Sequence, residues 1–421
     1  MKTKPWLLAT AALLAAAPLL QAQNPQQKSD SLENEIRLLK ARLDSLQEVV
    51  ARLVRQGEDT TEAVDELAAL RAAAQAAAQE AAGGEKPDTG QTQFVSRTRN
   101  LNRLNPEISV TGDVRALVNR PGPQEDNFDL REFEFAFQSA LDPYANTKIF
   151  LSLEDDQIDA EEAYIYWTGL PAGLRVDVGR FRQQIGELNR IHLHALPETE
   201  YPLVLREYLG EDGLVGDGVS FYWVAPVTPF GNATHEVWAQ VTLADNEALF
   251  DDGRRLSYMG HLNNFWQLSR STYLQVGGTA LYGRNPDSNI ATRVLGTDFR
   301  VTWRPPEKAL YRSATVRGEL YAARKRVSDV GSARYGGYLG TDYQAGRRFY
   351  FGGRFDYVEP LESPGHIWGL APHITWWQSE WVYLRAEWKH LSRPDLLGRT
   401  DNDRFVFQIV WAMGPHKHES Y

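Results

Sequence analysis

The sequence predicts an all-β membrane protein: a 16-stranded antiparallel transmembrane β-barrel preceded by an N-terminal α-helical coiled-coil segment. Three observations support this fold class. Apolar and polar residues alternate from Glu107 almost to the C-terminus. The connections between the alternating segments are short and long in turn. A heptad pattern of apolar residues precedes them, within residues 32–53.

The composition excludes several classes of protein. The 421 residues contain no cysteine, which rules out disulfide scaffolds, thiolate metal sites and cysteine nucleophiles. The 45 Lys and Arg residues are outnumbered by 55 Asp and Glu residues, so the formal net charge is -10. Because nucleic-acid-binding proteins usually have a basic surface, we expect no nucleic-acid partner.

The N-terminus is typical of a secretory signal peptide covering residues 1–22. Lys2 and Lys4 precede an apolar run from Trp6 to Leu20. This run is shorter than the roughly 20 residues that a membrane-spanning helix needs. Cleavage after Ala22 would export the mature chain from the cytoplasm, and a retained membrane anchor is the alternative.

Residues 23–82 are predicted to form a helical segment that oligomerises. Apolar residues recur at alternating spacings of four and three, which places them at the a and d positions of about three heptads. Glu35 and Lys40 fall at g and e positions, where they can pair between chains. The alternative is an amphipathic helix that packs on its own domain, and a linker (83–106) follows in either case. The predicted oligomerisation residues are Leu32, Ile36, Leu39, Leu43, Leu46, Val50 and Leu53.

From Glu107 onward the period of the apolar residues is close to two, as expected for strands. Ile108 and Val110, for example, alternate with Ser109 and Thr111. The pattern predicts a barrel over 107–413 and a tail over 414–421, with about 19 residues for each strand and its connection, which suits membrane strands. Sixteen segments begin near residues 107, 128, 147, 160, 174, 215, 234, 256, 271, 294, 313, 334, 348, 366, 380 and 403.

The connections favour a membrane barrel over a soluble β-sandwich or propeller. Outer-membrane barrels have tight periplasmic turns at one end and longer external loops at the other, whereas a sandwich has no reason to keep this parity. The even-numbered connections are mostly short, at 142–146, 169–173, 226–233 and 344–347. The odd-numbered ones are mostly long and polar, as in RPGPQEDN, DNEALFDDGRR, GRNPDSNIATR, KRVSDVGSA and SRPDLLGRTDN, with DDQID (155–159) a short exception.

The two faces of the predicted strands differ in polarity. One face is apolar and aromatic, as a lipid-facing surface requires, and the other carries charges of both signs. Barrels of about sixteen strands leave an aqueous channel. The sequence therefore predicts an outer-membrane porin for passive diffusion of small hydrophilic solutes, without a cofactor. The predicted pore-lining residues are Arg115, Arg175, Arg317, Arg354, Arg385, Arg404, Lys148, Lys389, Glu134, Asp177, Glu319 and Glu387.

The third odd-numbered connection, from Arg182 to Leu214, is much longer than the others. A loop of this length usually has a function. It mixes apolar side chains with basic ones, so we expect it to fold inward and to narrow the lumen; the alternative is an external loop at a subunit interface. The predicted constriction residues are Arg182, Arg190, His192, His194 and Arg206.

The organisation of the chain, together with the run Val178–Phe181 in a fifth segment reading LRVDVGRFRQQIG, resembles the outer-membrane phosphate-selective porin O and P family. It is also similar to trimeric porins with N-terminal periplasmic coiled coils. The resemblance implies a homotrimer, a third loop that lines the constriction, a periplasmic N-terminal segment and lumen arginines that guide anions. That family uses a pore lysine cluster, whereas carboxylates here can pair with the lumen arginines. The resemblance therefore does not identify the solute. The lysines within 107–421 are Lys148, Lys308, Lys325, Lys389 and Lys417.

Two other functions are alternatives. A structural anchor would link the barrel to the periplasm through the coiled coil, and its lumen would be filled by side chains or by the third loop. An outer-membrane hydrolase would need a nucleophile, a base and an orienting group. His192 and His194 are weak signals for such a site, or for a metal. We therefore predict no enzyme activity, no catalytic residue and no metal ligand.

Overall fold

The computed structural model of the chain has a compact unit within residues 95–421, and all described residues belong to it. The predicted signal peptide, coiled-coil segment and linker lie outside the described residues except for residue 106, and the predicted tail does so except for residue 414. No helix in the described part of the chain is long and apolar enough to cross a bilayer. The structure describes residues 106–120, 127–154, 157–226, 231, 233–251, 255–285, 291–325, 333–395 and 398–414.

Sixteen antiparallel strands follow one another in chain order and form a closed barrel, as predicted. The barrel closes because β1 pairs with β16 as well as with β2, from Val110 opposite Met413 to Arg120 opposite Asp403. Closure leaves no edge strand among the described residues, because each strand has a neighbour on both sides. The strands are β1 (Glu107–Arg120), β2 (Asn127–Ala140), β3 (Ala145–Glu154), β4 (Gln157–Trp167), β5 (Leu174–Arg182), β6 (Val215–Ala225), β7 (Ala233–Ala244), β8 (Arg255–Gln267), β9 (Thr272–Arg284), β10 (Ala291–Trp303), β11 (Arg312–Arg324), β12 (Arg334–Ala345), β13 (Phe349–Val358), β14 (Ile367–Trp377), β15 (Val382–Asp395) and β16 (Gly398–Met413).

The outer face of the barrel is apolar. Phe351 and Phe405 expose 47% and 43% of their surface, although each sits in the middle of a regular ladder. On β16, Val406 and Gln408 alternate with the exposed Phe405 and Phe407, so they point inward, and they are buried. Apolar side chains that face outward in this way suit a lipid environment.

The two ends of the barrel differ in their connections. One end, here the turn end, also holds the start of β1 and the end of β16. Asp142 illustrates how a turn is fixed there, because its Oδ1 accepts the backbone N–H groups of Tyr144 (2.8 Å) and Ala145 (2.7 Å). The opposite, loop end holds the long connections 183–214, 245–254 and 359–366.

The prediction of a long loop at SRPDLLGRTDN was wrong. β15 and β16 continue through it as a paired hairpin as far as Asp395 opposite Gly398, so residues 396–397 alone connect them. The polar composition suggested a loop, but these side chains bond across the hairpin instead. Arg399 donates to the carbonyl oxygen (2.7 Å) and the hydroxyl (2.9 Å) of Ser392.

Two β-bulges bring extra charged residues into the lumen. In β2 the pairing with β1 skips Arg131, and in β4 the pairing with β3 skips Glu161. Each bulge places two residues opposite one on the partner strand. Arg131 and Glu132 therefore both face inward, as do Glu161 and Glu162.

Candidate functional site

The candidate site is the barrel lumen and the β5–β6 loop (183–214) that lies inside it. Inward side chains of the barrel accept the loop's backbone N–H groups. Glu319 Oε1 accepts from Glu187 and Leu188, both at 2.9 Å, and Glu387 Oε2 accepts from Thr199 at 3.1 Å. The loop therefore crosses the lumen and bonds to strands around the barrel. Other such donors are Gln184 to Gln240, Gly186 to Thr279 and Leu203 to Asp356.

Asn189 closes the entrance of the loop. Its amide group donates to the carbonyl oxygens of Gln183 (2.8 Å) and Leu214 (2.9 Å). Its Oδ1 accepts the N–H of Leu214 at 2.7 Å. One fully buried side chain thus satisfies three backbone groups where the loop leaves β5 and returns to β6.

Glu198, deep in the loop, binds three arginines of the barrel wall. Arg354 and Arg317 donate to its carboxylate at 3.0 and 2.8 Å, and Arg385 donates to its carbonyl oxygen at 3.0 Å. Burial opposes ionisation of Glu198, but Arg317 and Arg354 outweigh that effect and lower its pKa. Three of the predicted pore-lining arginines are therefore buried under the loop and hold it in place.

Glu200 is surrounded by four cationic groups. Lys389 donates to its carboxylate, and Arg206 and Arg404 contact it at 2.7 and 3.1 Å. Arg115 lies farther away, at 3.7 Å. Burial opposes ionisation, but these cations, Lys389 most strongly, hold the pKa of Glu200 well below its usual range. Lys389, Arg404 and Arg115, predicted to line the pore, thus surround one carboxylate of the loop.

An apolar core fills the lumen near the loop end on one side. It is formed by helix α1 (Leu203–Leu209) of the β5–β6 loop and helix α2 (Glu247–Phe250) of the next long connection. These helices pack on inward-facing apolar residues of the wall, such as Met259, Leu281 and Val294. The alternating pattern predicted a polar lumen face, so this apolar core inside the barrel was not predicted. The wall residues of the core are Ala244, Met259, Leu281, Val294, Tyr321, Ala323, Tyr338, Val358 and Ile367.

Part of the lumen keeps cationic side chains that are only partly buried. Arg175, on β5, leaves 22% of its side chain exposed, donates to Asp177 at 2.7 Å, and stacks over the ring of Tyr166. Arg190, in the loop, is half-buried and donates to Gln184. Lys148, on β3, is buried and interacts electrostatically with both arginines. These three cations form a basic arc between the loop and the wall.

An acidic cluster with two histidines lies between the loop and strands β2 and β4. His192 Nδ1 is 2.6 Å from Glu134 Oε2 and 3.1 Å from Glu161 Oε2, and its Nε2 is 2.8 Å from Glu162 Oε1. His194 Nδ1 is 3.3 Å from Glu132 Oε2. Burial disfavours a charge on His192, but the carboxylates of Glu134 and Glu161 outweigh this effect and raise its pKa well above its usual range.

The predicted residues thus fall into separate groups. Arg317, Arg354, Arg385, Glu319 and Glu387 hold the loop, whereas Glu134 and the two loop histidines belong to the acidic cluster. Arg182 also joins this cluster, since its guanidinium donates to Glu161 at 2.5 Å. Asn189, Glu198 and Glu200 were not predicted to anchor the loop. Glu198 and Glu200 could have been found, because acidic residues in a loop can pair with the arginines predicted on the barrel wall.

No family model matches this sequence. An uncharacterised protein of Aquifex aeolicus (strain VF5) is 37% identical over 123 residues. That match covers 29% of this chain and 25% of the other protein, so the chain spans about a quarter of the length of the curated relative it matches.

Several solved structures of outer-membrane porins have a similar fold. The anion-selective porin from Comamonas acidovorans has a TM-score of 0.53 at 11% identity, over 74% of this chain and 100% of that chain. The outer membrane channel DcaP of Acinetobacter baumannii has a TM-score of 0.52 at 8% identity, over 74% and 97%. OprB of Pseudomonas putida has a TM-score of 0.51 at 10% identity, over 75% and 96%. The chain has the fold of a porin barrel.

Proposed function

We propose that this protein is an outer-membrane porin through which small hydrophilic solutes, including anions, diffuse passively. The observation that carries the proposal is a closed barrel of sixteen strands with apolar side chains outside and charged side chains inside. Such a barrel is suited to lipid on its outer face and water in its lumen. The shared fold of the porin neighbours supports the same function. Permeation requires no chemical step and no energy input.

We propose that the turn end faces the periplasm and the loop end faces the outside, as in other outer-membrane barrels. Because β1 begins at the turn end, the N-terminal helical segment then extends into the periplasm. The heptad pattern within 32–53 and the resemblance to phosphate-selective and coiled-coil porins support a homotrimer.

The β5–β6 loop narrows the lumen in this proposal, and solutes pass the basic arc. Arg175 and Arg190 supply positive charge at partly exposed positions, and Lys148 lies buried beside them, whereas Arg354 is fully buried against Glu198. A permeating anion would be attracted by the arc and would not reach Arg354. Selectivity in such a pore follows from its diameter and from the sign of the lining charges.

Planar bilayer recordings test this assignment. The purified protein should give stepwise current, and the double variant Lys148→Glu with Arg175→Glu should shift the reversal potential in a salt gradient towards cations. A change of about 1 kcal/mol per reversed charge, expected at the high dielectric of a wet pore, would change the permeability ratio about five-fold for each charge and about 30-fold for the double variant. Arg348→Glu, an exposed site on a turn-end connection, is the matched control and should leave the ratio unchanged. If the parent, the double variant and Arg348→Glu have equal permeability ratios, the basic arc does not lie on the solute path.

The apolar core in the lumen favours a second candidate, a structural anchor in which the loop blocks the barrel. α1 and α2 bury side chains such as Leu205 and Leu249 inside the barrel, where a wide channel would hold water. An anchor would give no current in the same recordings. Conductance of the unmodified protein therefore separates the two functions.

A further inference from the structure

The acidic cluster has the composition of a metal site. Glu132, Glu134, Glu161 and His192 each offer one ligand atom, and these four atoms lie within 4.8 Å of one another. Carboxylate oxygen and imidazole nitrogen are both ligands of divalent first-row metals. The β-bulge of β4 contributes to the arrangement, because it directs Glu161 inward next to Glu162, while Glu132 and Glu134 face the lumen in the regular alternation of β2.

A second observation indicates that a cation belongs in the cluster. Glu132 is 1% exposed, and its Oε1 has no hydrogen-bond donor among the described residues. Its other oxygen, Oε2, is next to His194. Burying a carboxylate oxygen without a hydrogen-bond donor costs free energy, and a bound cation would offset that cost.

The charges of the cluster agree with this interpretation. A metal ion is bound by ionised carboxylates and a neutral imidazole. In that state Glu132, Glu134, Glu161 and Glu162 carry four negative charges, Arg182 is in contact with Glu161, and a divalent cation would offset most of the remaining excess. Charges buried in this way are normally paired or bound to metal ions.

The surroundings of His192 fit a ligand role. Its Nε2 is 2.8 Å from Glu162 Oε1, while its Nδ1 points to Glu134 and Glu161. Metal-binding histidines commonly donate their second ring nitrogen to a carboxylate, which fixes the tautomer and the ring orientation. A cavity of about 340 Å³ lined by Glu161, Arg182 and Leu193 provides an approach to the cluster.

We propose that Glu132, Glu134, Glu161 and His192 bind one divalent first-row transition metal ion that ties the β5–β6 loop to β2 and β4. Glu162 and His194 act as positioning residues that orient His192 and Glu132. The ion would hold the loop inside the barrel through β2 and β4, whereas Glu198 and Glu200 are bound by side chains of other strands. This proposal does not depend on whether the barrel conducts, because metal binding and current are measured separately.

Metal titration of the full-length protein in detergent tests the site. The sample should be produced without a histidine tag and treated with a chelator to remove bound metal. The two tail histidines should be replaced (H416A/H418A), because that pair could bind metal independently. Zn²⁺ followed by calorimetry should bind at one ion per chain, and Co²⁺ should give a visible absorption band characteristic of nitrogen and oxygen ligands. Ca²⁺ should not compete, since imidazole is a poor ligand for that ion.

Variants locate the ion. Glu162→Gln should weaken Zn²⁺ binding by about 10- to 100-fold, as is usual for a residue that orients a ligand. The ligand variants Glu134→Gln and His192→Gln should weaken it further. Asp298→Asn is the matched control, because Asp298 is also a buried wall carboxylate but lies on β10, in another part of the lumen, and this variant should bind Zn²⁺ as the parent does.

Thermal unfolding gives a second readout. The direction in which Glu132→Gln changes the unfolding temperature distinguishes a metal site from a merely structural cluster. Zn²⁺ should raise the unfolding temperature of the parent, and Glu132→Gln should abolish that rise while stabilising the metal-free protein, because it removes repulsion between carboxylates. Binding of no ion by the parent, or unchanged binding in Glu134→Gln and His192→Gln, would overturn the proposal. If these variants do not fold, the Zn²⁺ stoichiometry and the Co²⁺ spectrum of the parent decide it.

Discussion

At the scale of single residues, Gly186 occupies a position where a side chain does not fit. Its φ is +62°, and an added Cβ would lie 2.1 Å from Glu319 Oε2 and 2.2 Å from the Tyr321 hydroxyl. Glu319 is also the carboxylate that accepts two backbone N–H groups of the loop. The chain therefore needs glycine there in order to dock the loop.

Gly186→Ala should loosen the β5–β6 loop without opening the barrel. The left-handed backbone alone costs about 1 to 2 kcal/mol for a residue with a Cβ, and the contact with Glu319 adds to that cost. A spin label at Ala195→Cys, specific because the chain has no cysteine, should become more mobile. Gly278→Ala has no atom within 4 Å of its Cβ and serves as the control. An immobile label in Gly186→Ala would show that this turn does not limit docking.

The docking of the loop should depend on pH through Glu200. Its pKa is lowered in the folded protein, so its contribution to docking is fully present above the ordinary value of 4.5 and is lost as the pH falls through the folded pKa. We expect the label at residue 195 to stay immobile from neutral pH to about 4.5 and to become mobile below it. The groups facing the carboxylate are Lys389, Arg206, Arg404 and Arg115.

Glu200→Gln should mobilise the label already at neutral pH. The substitution leaves Lys389 buried without its anionic partner, and breaking a buried ion pair in this way costs about 3 to 5 kcal/mol. Glu211→Gln is the control, because Glu211 pairs with Arg206 at the surface with 72% of its side chain exposed. If the label responds equally to both substitutions, Glu200 is not a principal anchor.

At the scale of elements, helix α1 docks by burying apolar side chains. Leu205→Ala should weaken that docking by about 2 to 5 kcal/mol, the usual range for truncating a buried leucine. Leu205 is 1% exposed, whereas Leu310, in a turn-end connection, is 66% exposed and serves as the control. Protease cleavage within the loop should become faster in Leu205→Ala and stay unchanged in Leu310→Ala. Equal cleavage rates would mean that the ion pairs alone hold the loop.

The strands were predictable because a period of two is a local signal. All sixteen begin within a few residues of their predicted positions, β1 at Glu107 and β5 at Leu174 among them. The β-bulges were not predictable, because Arg131 and Glu161 look like ordinary members of an alternating pattern until the partner strand is known. The β15–β16 hairpin was missed for a related reason, since its polar residues bond across the pair.

The contacts of the loop depend on the closed shape of the barrel. Apolar anchors in the third loop predicted that it folds inward, and it does lie inside the barrel. The sequence could not identify its partners, because Arg354 and Glu198 are 156 residues apart and meet only after the strands have closed. Local patterns report which face a side chain lies on but not what stands opposite it across the lumen.

At the scale of the whole molecule, the barrel and its loop are separable. β5 and β6 pair from Arg182 opposite Val215, so the strand ladder is complete without the residues between them. Replacing 184–213 with a short Gly and Ser turn should leave a folded barrel. It should also remove Glu198 and Glu200 and so return the buried arginines beneath them to water.

Recordings of this deletion in planar bilayers distinguish the functions of the intact protein. If the protein is a narrowed porin, the intact form conducts and the deletion conducts more, because the obstruction and its apolar core have been removed. A silent intact protein with a conducting deletion would identify the loop as a plug and would favour the anchor. If neither form conducts although both are folded, the wall itself fills the lumen and the porin proposal fails. Anion preference should also increase in the deletion, because Arg317, Arg354 and Arg385 lose their partner in Glu198 and can then attract solute anions.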